Sequence, residues 1–397
     1  GGAMGDGTID QDRIGGAAKL SADKFTTTTR DPDQLGRRIG DWLGTKLGKG
    51  SNPTVFEVSK PEGNGMSSET LLFSARWRDG ADVVERRLVA RIQPELDKVP
   101  VFSTYDLRLQ FDVMALVGGA TDVPVPEVMW FEGDASVIGA PFFVMSRSDG
   151  EVPPDMMPYT FPDSSWLGRA SMADQDHLQR SAVETLAALH ELSPETHDLD
   201  FLAPERPGET SLERHLAAWQ DYLDWATHDE RSPLLDECFA WLRANLPAEG
   251  IDTGPPRLSW GDARIGNMMF VDFEVAAVLD WEMASIAPPE VDLGWMTYLH
   301  RFFDDLTVDL GAEGMRQFMR PADVVATYEA ASGRTVGDLR WHMAYAAMRH
   351  GVIMRRVTER SIHFGEAVRP ESIDDLIIHG ATLRSMLDGT YWDDVGF

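Results

Sequence analysis

The chain has a single cysteine, Cys238, in 397 residues. An internal disulfide is therefore impossible, and a reducing cytosol is the expected setting. Cys238 stands in the apolar helical stretch "LLDECFAWL" and reads as a buried thiol rather than a nucleophile. No apolar run reaches the roughly 18 residues of a membrane span, so none is expected. The first residues, "GGAMGDGTID", lack the basic-then-apolar plan of a secretion signal, and "GGAM" reads as a cloning remnant. Basic residues are scarce: 36 Lys and Arg face 65 Asp and Glu, a formal net charge of -29. Such a chain repels nucleic acid and anionic membranes, and neither is an expected partner. It attracts cations, but solubility explains the charge as well, and charge alone selects no substrate. Internal repeats are also lacking.

What is present has a clear order. Residues 1–30 are polar, aperiodic and rich in Gly and Thr, and read as a loose arm. "DPDQLGRRIGDWLGTKL" (31–47) places Leu35, Ile39, Trp42, Leu43 and Leu47 at helical spacing behind an Asp cap. The period then shortens. "TVFEVSK" (54–60), "TLLFSARW" (70–77) and "RRLVARI" (86–92) read as strands, "YDLRLQFDVMALVGG" (105–119) as a helix, and "PVPEVMWFEG" (124–133) and "APFFVMSRS" (140–148) as two more strands. Three strands, a helix and two strands predict a small antiparallel sheet with one helix. After "SDGEVPPD" (148–155) the spacing turns helical at 177–192, 211–226, 232–246, 321–331, 337–358 and 371–388. The clear strands there are "NMMFVD" (267–272) and "EVAAVLDW" (274–281), joined by a tight turn. The expected class is α+β in two lobes: residues 31–147 sheet-rich, residues 148–397 mainly helical.

A polar island, "LSWGDARIGNMMF" (258–270), interrupts the second lobe. Asp262 and Asn267 precede the hairpin, and Asp280 ends its second strand in "VLDWE". Three oxygen-bearing side chains can meet at one mouth. A hard cation such as Mg2+ takes one or two protein oxygens and fills its octahedron with water and phosphate. Asn267 and Asp280 suit that task, and Asp262 is then free to orient a hydroxyl or accept its proton.

Asp-x-x-x-x-Asn, a hairpin and a further Asp resemble the catalytic loop and metal-binding Asp of protein kinases. "GDARIGN…VLDWEMASIAPPEVDLGW" is closer still to the aminoglycoside phosphotransferase family, which includes choline-kinase-like enzymes, and "AALHEL" (187–192) and "GAPFFVMSRSDG" (139–150) resemble further segments of it. The resemblance implies a protein-kinase-like bilobal fold and an ATP- or GTP-dependent, Mg2+-assisted transfer of the γ-phosphoryl group to a small-molecule hydroxyl. It implies Asp262 as the catalytic residue and Asn267 and Asp280 as metal ligands. It implies nucleotide contacts from the turn "EGNGMSSET" (Gly63, Gly65, Ser67, Ser68), from Arg91 in the place of the phosphate-anchoring Lys, and from the hinge backbone at Met145, Ser146 and Arg147. Asp292 in "EVDLGW" matches the D-L-x-W stretch after the metal Asp.

Three residues depart from the pattern. Trp260 replaces a His and reads as core filler. Arg91 replaces Lys and can still grip phosphate oxygens. Gln110 falls near the helix Glu that pairs with that Lys, and an always-charged Arg needs such a partner less. These changes leave open an alternative: a nucleotide-binding pseudokinase with a regulatory role. Other signals are bland. "GTKLGKGS" (44–51) fails the spacing of a Walker A loop. His342 and His350 are too far apart for a metal pair, and His190 reads as structural. The strip "MMPYTFPDSSW" (156–166) is a loop packed on the helical lobe or a lid over an acceptor pocket.

Overall fold

The computed structural model describes residues 31–61, 70–95, 99–203 and 205–397. The N-terminal arm and the turn residues Gly63, Gly65, Ser67 and Ser68 lie outside them. Helix α1 (Pro32–Lys46) starts at Asp31, whose side chain accepts from the Asp33 amide, and Pro32 fills the first turn without losing a bond. Strands β1 (Thr54–Ser59), β2 (Thr70–Asp79) and β3 (Asp82–Ile92) follow, then α2 (Leu107–Ala120), β4 (Val128–Glu132) and β5 (Phe142–Ser146). They form one antiparallel five-stranded sheet in the order β1-β2-β3-β5-β4. Val128 and Leu88 flank β5 at Met145 and Ser146, so β5 stays paired to its end. Among the described residues this lobe holds two helices: α1 packs beside β1, and α2 lies next to β4. Ile39, Leu43, Phe73, Ala75, Ala90 and Phe142 form its own core.

The second lobe carries α3 (Met172–Leu189), α4 (Ser211–Ala226), α5 (Pro233–Ala244), β6 (Arg257–Ser259), β7 (Met268–Val271), β8 (Glu274–Val278), β9 (Ser285–Ala287), α6 (Pro289–Asp309), α7 (Pro321–Ser332), α8 (Arg340–His363) and α9 (Gly380–Asp388). Caps set the starts: Ser171 for α3, and a Thr210–Glu213 capping box for α4. At its centre α6 packs along α8. Gly294 lets them touch, because a methyl there would press on the His342 backbone. Helix α6 was not expected from spacing; it is buried on nearly every face.

The lobes are joined through a short connector. Glu151 and Phe270 exchange two backbone bonds, Glu151 N to Phe270 O at 2.9 Å and Phe270 N to Glu151 O at 2.8 Å, which pins the connector to β7 just after Gly150. The strip 156–166 packs on α6. Tyr159 OH meets His300 Nδ1 at 2.9 Å, and the Thr160 and Thr307 hydroxyls meet at 2.7 Å. Cys238 is buried, and burial pushes its thiol up to about 12.

Candidate active site

Strand β6 pairs with β9, and the loop after it, 260–267, is wholly buried. Gly261 has φ 92°, and a methyl there would overlap the Met283 carbonyl oxygen, so only glycine fits this turn. Asp292, in the first turn of α6, holds the loop in shape. Its Oδ1 accepts from Ser259 Oγ (2.8 Å) and the Gly261 amide (3.0 Å). Its Oδ2 accepts from the Trp260 amide (2.9 Å) and from His190 Nε2 (2.7 Å). Burial, the largest single influence, pushes this carboxyl up, but His190 and the two amides outweigh it and hold it below its usual range. His190 is itself fixed through Nδ1 by Tyr328 OH at 2.8 Å.

The Trp260 ring fills the core, as expected, and lies 5.9 Å from the Trp281 ring. Its Nε1–H also donates to the carbonyls of Leu279 (2.9 Å) and Asp280 (3.2 Å). It thus ties the loop of Asp262 to the loop of Asp280, which filling alone would not do.

Asp262 is fully buried. Its Oδ1 accepts from Trp295 Nε1 at 3.0 Å and faces Arg264 Nε at 3.2 Å. Its Oδ2 is buried without a hydrogen-bond partner among the described residues. Asn267 Nδ2 donates to the Asp262 carbonyl (3.1 Å), and its Oδ1 is likewise buried and unpartnered among them. The Asn267 carbonyl accepts from the Leu279 amide at 2.8 Å, which draws Asp280 to the same seam. Asp280 adopts φ 56°, a left-handed conformation that costs a non-glycine residue about 1 kcal/mol or more and recurs at functional sites. Its Oδ1 lies 3.6 Å from Arg91 Nη1.

Arg91, on β3, is buried beneath α2. Its guanidinium reaches Gln110 Oε1 (3.3 Å), Tyr105 OH (3.3 Å) and Thr70 Oγ1 (3.4 Å). The helix therefore supplies a neutral acceptor, and among the described residues Asp280 supplies a countercharge. A narrow cavity between the lobes is lined by Thr70, Arg91, Gln110, Met145, Asp280 and Trp281. Met145 faces the cavity, but the Ser146 amide donates to the Glu127 carbonyl (2.8 Å) and the Arg147 amide to the Arg87 carbonyl (3.1 Å). The Arg147 side chain caps the Phe73 carbonyl at 2.8 Å on the sheet. The amides of both residues are thus bonded to the sheet, and the hinge expected at Met145, Ser146 and Arg147 is carried forward as a proposal.

Two residues that sequence reasoning passed over complete the loop. Arg264 Nη1 lies 2.8 Å from both oxygens of Asp155. Burial is the largest influence on this guanidinium and works against its charge, but Asp155 and Asp262 outweigh it and raise its pKa. The one signal in the sequence was an Arg two places after Asp262; its partner stands 109 positions away, beyond any local pattern. A second, wider cleft runs beside the 282–285 loop. Phe102, Trp219, Tyr222 and Trp225 line it, with Asp106, Asp200 and Glu282 among its carboxylates. Phe102 stacks on Tyr222 at 5.2 Å.

A family model described as a phosphotransferase enzyme family matches residues 75–344. The chain belongs to that family. This phosphotransferase is 30% identical over 269 residues to acyl-CoA dehydrogenase family member 11 of Gallus gallus, covering 62% of the chain and 32% of the relative. It is 25% identical over 293 residues to acyl-CoA dehydrogenase family member 10 of Mus musculus, covering 70% of the chain and 25% of the relative. It thus spans between a quarter and 37% of the length of these curated relatives. Among solved structures, a Ralstonia eutropha protein named as a candidate aminoglycoside phosphotransferase shares the fold, with TM-score 0.60, 21% identity, and coverage of 88% of this chain and 96% of the other. A macrolide 2'-phosphotransferase type I aligns with TM-score 0.50 and 16% identity, over 90% of this chain and 98% of the other. The phosphotransferase therefore has the bilobal kinase-like fold, and it is a small-molecule kinase by family. No helix among the described residues is long and apolar enough to cross a membrane. Nor does any group of three or more His, Cys, Asp or Glu among them form a metal cage. A cation at this seam would rest on Asn267 and Asp280 and take its remaining oxygens from elsewhere, a donor set that suits Mg2+ beside phosphates.

Proposed function

We propose that this phosphotransferase moves the γ-phosphoryl group of ATP or GTP to a hydroxyl of a small molecule with an apolar body, with Asn267 and Asp280 as Mg2+ ligands. The observation that carries this reading is the pair of unspent oxygens, Asp262 Oδ2 and Asn267 Oδ1, both buried in the one loop. Buried polar atoms without a partner are costly, and a bound ion or substrate at this loop would satisfy both. When bound, Mg2+ would neutralise triphosphate charge. Arg91 would hold phosphate oxygens from above while Asp280 steadies its guanidinium. Asp262 would take the acceptor hydroxyl on Oδ2: the bond between the γ-phosphorus and its bridging oxygen breaks, a bond to the acceptor oxygen forms, and the hydroxyl proton passes to the carboxylate.

Two acceptor classes suit the aromatic cleft. Its carboxylates and the chain charge of -29 favour an amino sugar. Its aromatic wall, and relatives named acyl-CoA dehydrogenases, favour a hydroxyacyl compound. The test is Mg2+-dependent transfer from radiolabelled ATP across a panel holding both. D262N is expected to lose at least about a hundredfold in kcat while its nucleotide affinity stays within a few-fold. A thermal shift with Mg-ATP at about a hundred times Kd should stabilise by roughly 2.7 kcal/mol. Unchanged turnover in D262N overturns the role of Asp262, and a shift without any turnover supports the pseudokinase alternative.

A further inference from the structure

Arg349, midway along α8, is buried to 1% exposure. No carboxylate among the described residues forms an ion pair with it. Its guanidinium carbon lies 4.0 Å from the Tyr345 ring centre, 4.6 Å from that of Trp295 and 5.6 Å from that of Trp219. Nε reaches only the Tyr345 carbonyl, at 3.4 Å, and Nη2 is buried with no hydrogen-bond partner among the described residues. A buried cation in such a setting destabilises the fold relative to an apolar side chain of the same volume. Packing therefore does not account for an arginine here, and its charge must be sought in what it faces.

On one side stands Trp295. Its ring face takes the guanidinium, and its Nε1–H donates to Asp262 Oδ1 at 3.0 Å. A cation against an indole face draws electron density from the ring and strengthens the N–H as a donor. Burial works against the Arg349 charge most, while Tyr345, Asp292 and Asp262 favour it, so the field of the guanidinium reaches the catalytic loop. On the other side stands Trp219, part of the acceptor cleft wall. The cage extends to the same cleft by a second route: Tyr345 OH meets His215 Nδ1 at 3.1 Å, and His215 Nε2 meets Ser285 Oγ at 2.9 Å. One cation thus touches both the donor that fixes Asp262 and the wall along which an acceptor would lie.

We propose that Arg349 is a positioning residue for phosphoryl transfer. It holds Trp295 so that the indole N–H fixes Oδ1 of Asp262 and leaves Oδ2 turned to the acceptor hydroxyl. The inference rests on the phosphotransferase reading above. Its test uses the full chain with R349M, R349K, W295F and the R349M/W295F double variant, assayed for Mg-ATP turnover with whichever acceptor the wild type uses, or with water. R349M is expected to keep or raise Tm and to bind Mg-ATP within twofold of wild type, yet to lose at least tenfold in kcat. R349K should recover kcat to within threefold of wild type. Adding R349M to W295F should cost less than a further twofold, because the effect runs through that indole. If R349M does not fold, R349Q carries the same comparison. A folded R349M with wild-type kcat, or losses that multiply in the double variant, overturns the inference alone. A wild type that turns over neither an acceptor nor water overturns the phosphotransferase reading and this inference with it.

Discussion

Four donors converge on the two oxygens of Asp292: a hydroxyl, two amides and an imidazole N–H. An amide side chain could serve at most half of them, since its nitrogen would face donors. D292N is therefore expected to cost about 3–5 kcal/mol in urea unfolding, as removal of a buried charge partner does. D262N should cost less, about 1–3 kcal/mol, because Asp262 Oδ2 has no partner to forfeit among the described residues while Oδ1 gives up only its charge beside Arg264, which keeps Asp155. W260F keeps an aromatic ring and removes the N–H that bonds the carbonyls of Leu279 and Asp280. It should cost about 1–2 kcal/mol. A wild-type urea midpoint for W260F would show that the N–H adds nothing to the ring. The candidate site was legible in the chain: Asp262, Asn267 and Asp280 announce themselves by type and spacing, and the structure brings them to one seam. Asp155 and Arg349 were not, because their meaning comes from contacts with elements far away in sequence.

Among the elements, α6 shows why periodicity fails at the centre of a lobe. A helix reveals itself by an apolar stripe against a polar face. From Pro289 to His300 every residue of α6 is buried, so no stripe exists to read. The helix also carries Trp295, Thr297, Tyr298, Phe302 and Phe303, types that fit strands as well. Strands β1 to β5 were legible because each is bounded by turn residues and β-formers fill their interiors. G294A is predicted to destabilise by about 1–3 kcal/mol, since its methyl would push α6 from the His342 backbone. A chemical denaturation midpoint equal to wild type would mean that the two helices can part at no cost.

At the scale of the molecule, the buried imidazoles set a pH window. Burial is the largest cause in each case: it holds His342 down to about 3 and His215 and His379 down to about 4, and it keeps His350 well below its ordinary value. In the unfolded chain these groups protonate near pH 6.5. Below that pH the unfolded state binds protons that the folded state refuses, so stability is full above about 6.5 and falls as pH drops toward 4. Every tenfold by which burial weakens the hold of an imidazole on its proton corresponds to about 1.4 kcal/mol. Lowering the pH also relieves the self-repulsion of a chain of charge -29, which acts in the opposite direction and is weakened by salt. At about 0.15 M salt the imidazoles should win, and Tm should fall steadily from pH 7.5 to pH 5. A Tm that rises over this interval would show that surface repulsion outweighs them.

The double bond between Glu151 and Phe270 has a mechanical result. Chain before it follows the sheet as far as the Arg147 amide, and chain after it belongs to the helical base. Only Ser148, Asp149 and Gly150 remain to bend, and Gly150 already sits at φ 152°. A swing of the upper lobe must therefore turn about a point beside the β7–β8 hairpin. Near that fulcrum Asn267 would scarcely travel, while the rim at β1, at the far edge of the sheet, would sweep the widest arc. The candidate catalytic loop is thus set where such a swing would move it least.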